Sequence, residues 1–235
     1  VGLDHFRYIY GNRAEHYQRM IAVEDVDGNL LPALRRAADG LAYKSLLDLG
    51  SGTGRIPCLT HTEAGVVTAY EAAPAMLAEQ ARVRAALGGT WGMVLGDMAA
   101  LPFEDGSADV ITAGWAIGHS VGWYPQDWQT VVGGILREIQ RVLRPAGTVV
   151  IMETMTTGSL TPAPPADHLA RYYHWLEDQW GFRCEIISTD YQFDSLEQAV
   201  EYTEFFFGSE LAQKIRRNGW VRLPEWTGVW SWRKA

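Results

Sequence analysis

The segment LLDLGSGTGRIP, residues 46–57, places Gly50, Gly52 and Gly54 directly behind a short apolar run. Glycine loses more backbone freedom on folding than any other residue, so three at alternate positions imply a backbone that something must approach closely. A glycine-rich turn leading from a strand into a helix leaves unpaired N–H groups pointing outward at the helix start. That junction points to an α/β fold whose binding site lies at the strand ends.

The rest of the chain repeats the alternation. SLLDLG, VVTAYE, WGMVLGD, ADVITAG and GTVVIMET read as short apolar strands. PAMLAEQARVRAAL, with Pro74 in its first turn, and QDWQTVVGGILREIQRVLRP, stopped by Pro145, read as helices. The spacing predicts a parallel sheet with helices on both faces. Upstream, HFRYIYGNRAEHYQRMIAVEDV is aromatic and amphipathic and reads as one or two helices lying over the sheet. Downstream, GFRCEIISTDYQF reads as a strand, SLEQAVEYTEFFFGSELAQKIRRNG as one helix and EWTGVWSWRK as a last strand. The Pro-rich TTGSLTPAPPADH reads as a surface loop. A length of 235 residues suits one domain, 1–235. Its parts are a helical cap at 1–44, a binding core at 45–153 and a portion at 154–235 that completes the sheet.

Three ligand classes use such a turn. A phosphate-binding loop needs Gly-Lys-Ser/Thr after the glycines, where this chain has Arg55-Ile56-Pro57. The dinucleotide fingerprint needs its third glycine at position 55, so Gly50, Gly52 and Gly54 depart from it, although a pyrophosphate ligand stays open on the turn alone. The third class is a nucleoside without phosphates. Glu71, which closes the second strand, is a strand-end carboxylate that can accept from two ribose hydroxyls; alone it is equally an exposed strand terminus. Gly96-Asp97 after the third strand can reach an adenine amine, or form an ordinary turn.

Taken together, LDLGSGTGRI, Glu71, GDMAALPFEDGSADVI and ILREIQRVLRPAGTVVI resemble the class I S-adenosylmethionine-dependent methyltransferases. The resemblance covers roughly Leu46 to Glu153 and is to the branch that includes the ubiquinone and menaquinone biosynthesis enzymes. RAEHYQRM is similar to a family motif that closes over the cofactor, with Tyr17 in place and Gln18 where an acid is usual. The resemblance implies a Rossmann-like, doubly wound, seven-stranded, mostly parallel sheet with an antiparallel last strand and an N-terminal helical lid. It implies S-adenosylmethionine as cofactor. Gly50, Ser51, Gly52 and Gly54 would contact the methionine moiety and ribose through backbone atoms, and Asp48 would reach the amino group. Glu71 would hold the ribose diol, Asp97 and Met98 the adenine, with Met76 packed against it and Trp115 lining the methionine end.

Methyl transfer is an in-line displacement, so the protein must chiefly align the nucleophile and exclude water. In such a fold the crevice lies beyond the carboxyl ends of the strands. His119, in WAIGHSVGWYPQDW, is the candidate base, or else a structural histidine bonded to a loop carbonyl. Glu153 ends the fifth strand at the same crevice and either accepts a substrate hydrogen bond or caps the next turn. The chain has ten tryptophans and ten tyrosines, enough to wall a flat apolar acceptor. Tyr10, Trp123, Tyr124 and Trp128 are the candidate substrate-binding rings, beside His119 or over the lid; most other Tyr and Phe residues read as lid packing.

Charge and cysteine usage exclude other classes. A net charge of -8 gives the chain as a whole no attraction to nucleic acid or anionic membrane. KIRR at 214–217 reads as the solvated end of a helix. His168 and His174 are six apart, and Cys58 and Cys184 lie far from one another, so no metal site is expected. Unpaired cysteine usage, no leader and no apolar run of membrane-spanning length suit a cytoplasmic protein. The expected function is methyl transfer to a small, aromatic or apolar molecule. The alternatives are a non-catalytic S-adenosylmethionine-binding module, a methyltransferase acting on a protein tail, and a nicotinamide oxidoreductase, which the glycine spacing disfavours.

Overall fold

Alternate side chains of the central strands face opposite ways, and both faces are apolar, so helices must cover both. The computed structural model describes residues 3–235. Strands β1 (Ser45–Leu49), β2 (Val66–Glu71), β3 (Gly92–Leu95), β4 (Ala108–Gly114) and β5 (Leu143–Thr157) are parallel. They are joined by β6 (Arg183–Ser188) and β9 (Glu225–Arg233), while β7 (Tyr191–Gln192) and β8 (Arg222–Leu223) form a separate two-stranded ribbon. The large sheet has the order β3-β2-β1-β4-β5-β9-β6. β9 is antiparallel to both neighbours, so the strand that comes last in the chain lies inside the sheet.

The helices are α1 (Leu3–Asn12), α2 (Ala14–Ile21), α3 (Leu30–Ala37), α4 (Arg55–Thr60), α5 (Pro74–Leu87), α6 (Gly118–Trp123), α7 (Trp128–Val142), α8 (Asp167–Trp180), α9 (Leu196–Phe207) and α10 (Ser209–Asn218). On one face, Leu47, Leu49, Ile111 and Ile151 pack against Val132, Ile135, Leu136 and Ile139 of α7 and Tyr172 and Leu176 of α8. The α7 residues recur at helical spacing, and each buried side chain contributes about 1.5–3 kcal/mol. On the other face, Leu46, Val67, Val110 and Val150 meet Leu30 and Leu34 of α3 and Ile56 of α4.

The structure departs from the sequence reading in several places. α7 ends at Val142, before Pro145, and Leu143 is already extended at φ -72, ψ 132. Pro145 disfavours helical geometry at Arg144 and cannot donate a backbone hydrogen bond, so the helix is already over by Leu143. The segment 30–37, with no element assigned from sequence, is α3. GFRCEIISTDYQF splits into β6 and β7, because Asp190 accepts the Glu225 N–H at 3.0 Å and pairs with Arg222 at 2.8 Å, turning the chain between them. The single helix expected over 195–219 breaks at Gly208, whose φ of 87 only glycine adopts readily.

The portion after residue 153 therefore does more than complete the sheet. α9 and α10 pack with Met20 and Ile21 of α2, with Tyr191 and Leu223 of the ribbon and with Phe193 just after β7. The cap over the strand ends is built from both ends of the chain. No helix among the described residues is long and apolar enough to cross a membrane.

Candidate active site

The glycine turn closes against β4 and β2. Gly50 has φ +64, and a Cβ there would lie 2.5 Å from the Cβ of Ala116, so only glycine fits. Glu71, at the end of β2, accepts from the backbone N–H groups of Gly52 and Ala73, both at 2.8 Å. Burial raises the Glu71 carboxyl above its ordinary range, and these N–H groups oppose that rise. The strand-end acid thus fixes the shape of the turn. Gly54 is turned elsewhere: it caps α4 and faces the buried Gln80, whose Nε2 donates to Ser51 Oγ at 3.3 Å.

A cavity of about 240 Å³ lies beyond this turn. It is lined by Tyr17, Asp48, Gly50, Ser51, Gly52, Glu71, Met76, Asp97, Met98 and Trp115, which the sequence assigned to the cofactor. Tyr10, His119, Trp123 and Tyr124 line it too. Gly54, Glu153 and Trp128 do not. Asp48 is 1 % exposed and accepts from Thr112 Oγ1 at 2.6 Å. Burial pushes its pKa up to about 7, with the Thr112 bond opposing and the charge of Glu71 reinforcing the rise. Asp97 Oδ1 accepts from the Ala99 N–H at 2.9 Å, forming the local turn after β3.

A larger chamber of about 900 Å³ adjoins the first. Tyr10, Tyr17, Trp115, His119 and Trp123 line both, and so mark their junction. His119 Nε2 is 2.8 Å from the Tyr10 hydroxyl, and its ring stacks on Trp123 at 5.3 Å. Burial lowers its pKa to about 4, so the imidazole is neutral well below neutral pH and a weaker base than an exposed histidine. Glu153 lines the chamber, and its Oε1 accepts the Gly118 N–H at 2.7 Å. Burial pushes its pKa up to about 8, against that one hydrogen bond. Trp128 lines the chamber as well, held edge-on to Trp175 at 5.2 Å.

Sequence reasoning missed a second polar group at this site. Arg55 pairs with Glu24 at 2.7 Å, with side-chain exposures of 14% and 4%. The guanidinium also sits 4.3 Å above the Trp115 ring. Trp115 has φ 51, a strained conformation for a bulky residue, which aims its ring across the junction. Glu225 is buried in the chamber wall, and burial raises its carboxyl well above the ordinary range. Arg55 follows the glycines directly in RIP and could have been singled out there; Glu24 and Glu225 carry no local signal.

These residues fit S-adenosylmethionine. Asp48 is a buried carboxylate with no cation paired to it among the described residues, which suits an ammonium group. At Gly52, which lines the cavity, a Cβ would meet nothing nearer than Tyr17 Cε1 at 3.9 Å, so bare backbone faces open space there. Arg55, the one basic residue of the turn, is engaged by Glu24 and Trp115, so no phosphate clamp stands beside the glycines.

Comparison with known proteins agrees. Residues 47–151 match the family described as "Methyltransferase domain". Demethylmenaquinone methyltransferase of Thermus thermophilus is 33% identical over 124 residues, 51% of this chain and 52% of that protein. The ubiquinone/menaquinone biosynthesis C-methyltransferase of Paracoccus denitrificans is 31% identical over 197 residues, 78% of this chain and 68% of that protein. The chain thus spans about half the length of the first relative and two thirds of the second. Among solved structures, phosphoethanolamine N-methyltransferase 2 of Haemonchus contortus shares the fold with a TM-score of 0.62 at 16% identity, covering 100% of this chain and 60% of that one. A methyltransferase structure from Bacillus halodurans gives 0.57 at 18% identity, covering 88% and 99%. The chain belongs to the class I S-adenosylmethionine-dependent methyltransferases, with S-adenosylmethionine as its cofactor.

Proposed function

We propose that the chain transfers a methyl group to a small acceptor with an aromatic or apolar body, held in the larger chamber. The observation that carries this reading is the shared wall: Tyr10, Tyr17, Trp115, His119 and Trp123 line both cavities, so a second ligand meets the first there. When bound, S-adenosylmethionine supplies an electrophilic methyl group on a sulfonium. Asp48 would pair with its ammonium, Glu71 would accept from the ribose hydroxyls, and Met76 and Met98 would flank the adenine. Gly50, Ser51 and Gly52 would offer bare backbone to the methionine moiety.

The chamber residues would orient the acceptor and keep water out. A general base works best when its pKa lies near the working pH. Glu153, pushed up to about 8, meets that condition, and His119, at about 4, does not. We therefore assign proton acceptance to the Glu153 carboxylate. His119 would hold the Tyr10 hydroxyl in place and stack with Trp123 against the acceptor. The curated relatives support a small-molecule acceptor, since their names specify menaquinone and ubiquinone biosynthesis.

Incubation with methyl-labelled S-adenosylmethionine and a pool of small metabolites, followed by mass spectrometry, tests this. Label should move to a small molecule. Label found only on protein would favour a tail-modifying enzyme, and cofactor binding with no transfer would leave a non-catalytic binding module.

A further inference from the structure

We propose that the acceptor is an amine, bound as its ammonium ion between Glu153 and the aromatic wall of the larger chamber. This rests on the methyl-transfer reading above and names its substrate class. The chamber wall carries three glutamates with buried side chains, Glu24, Glu153 and Glu225. The one buried cation on that wall, Arg55, is already engaged by Glu24 and the Trp115 ring. Arg171 and Lys214 also line the chamber, but both are exposed at its rim.

Neither Glu153 nor Glu225 forms an ion pair among the described residues, although the Arg55 charge reaches Glu225. Glu225 is 1 % exposed, and its Oε2 has no hydrogen-bond partner among the described residues. Glu153 is 5 % exposed, and among the described residues its one hydrogen bond is from the Gly118 N–H to Oε1, with none to Oε2. Burying carboxyl groups without partners is costly, and a cationic ligand removes that cost. The surrounding rings favour the same ligand, because aromatic faces attract ammonium ions in desolvated sites. A neutral acceptor could donate to a carboxylate but would leave its charge uncompensated. Glu153 is the carboxyl nearest the chemistry in sequence and contact, since Gly118 precedes the junction residue His119.

The step balances without further reagents. The Glu153 carboxylate takes one proton from the ammonium and frees the nitrogen lone pair. That pair forms the N–CH₃ bond as the S–CH₃ bond breaks, and the sulfur leaves with the bonding electrons as a neutral thioether. The product is the N-methyl ammonium ion.

Calorimetry on the protein saturated with S-adenosylhomocysteine tests the class. Benzylamine and phenethylamine are compared with benzyl alcohol and phenethyl alcohol. A hydrogen bond to a charged partner predicts at least about tenfold tighter binding of the amines. Glu153→Gln keeps an acceptor for the Gly118 N–H and should reduce that preference below about threefold. Equal or tighter binding of the alcohols, or no amine binding, overturns the inference independently of how any variant folds. Methyl transfer confined to hydroxyl or carbon acceptors overturns the amine class and leaves methyl transfer standing. Amine binding with no transfer supports the ligand class and overturns the proposed function.

Discussion

The Tyr10 hydroxyl lies 2.8 Å from His119 Nε2, which bonds the first helix of the cap to α6, the short helix after β4. The ring of His119 is also packed against Phe6 at 5.2 Å and Trp123 at 5.3 Å. If its work is orientation, His119→Ala should raise KM and lower kcat by less than about tenfold. A general base would lower kcat by roughly 10²–10⁴-fold, which is the effect expected of Glu153→Gln. Steady-state kinetics with both variants separate the roles. A large kcat loss in His119→Ala with KM unchanged would return the base assignment to the imidazole.

Cofactor binding should depend on pH through Asp48. In the free protein its carboxyl is protonated below about 7, whereas an ammonium partner favours the carboxylate. Affinity should therefore fall by up to about tenfold per pH unit below that point, with proton release on binding. Asp48→Asn should remove this dependence and weaken binding at pH 8. Calorimetry in buffers of different ionisation enthalpy reads the released proton, and a flat profile in the wild type would exclude Asp48 as the ammonium partner.

Glu71→Ala should weaken cofactor binding by more than about tenfold, because hydrogen bonds to a charged group contribute about 1.5–3 kcal/mol each. The variant also frees the N–H groups of Gly52 and Ala73 that shape the turn. Affinity equal to that of the wild type would remove Glu71 from the site.

The stability of the cofactor-free protein should fall as pH rises above about 6.5. Asp48 and Glu153 have folded pKa values raised to about 7 and about 8. Their contribution is complete below the unfolded values near about 4 and is lost as pH rises through the folded ones. His119 acts oppositely, since its folded value of about 4 lies below the unfolded one. Its contribution is present above about pH 6.5 and lost only below it, so it is constant in the window of the test. Thermal melts across that window should show a declining Tm, and Glu153→Gln should flatten the decline. A Tm that rises with pH there would contradict the sign.

The turn at Gly50–Gly54, Glu71 and Asp97 was legible because each role follows from position at a strand end, which local pattern reveals. Fourteen of the assigned residues line the smaller cavity, some at strand ends and others, such as Tyr10, Tyr17 and Met76, on helices. The base strength of His119 was not legible, since burial by Phe6, Tyr10 and Trp123 depends on where α1 lands. Glu24 and Arg55 pair between distant segments, and their charges act on Glu225, which no spacing encodes. Gly54 was assigned to the ligand by its place in the motif, but its geometry serves the entry to α4. The break at Gly208 has a visible signal, a glycine within a helical pattern, although the stretch reads as one helix.

The placement of β9 between β5 and β6 has a consequence for synthesis. β5 and β6 lie on either side of β9 and share no ladder with each other, so the stretch of β5 facing it keeps an unpaired edge until residues 225–233 leave the ribosome. That edge includes the fully apolar run Val149–Met152, the kind of strand that recruits other chains while it waits. A nascent chain halted before Glu225 should accordingly depend on chaperones, and its release should depend on arrival of the final strand.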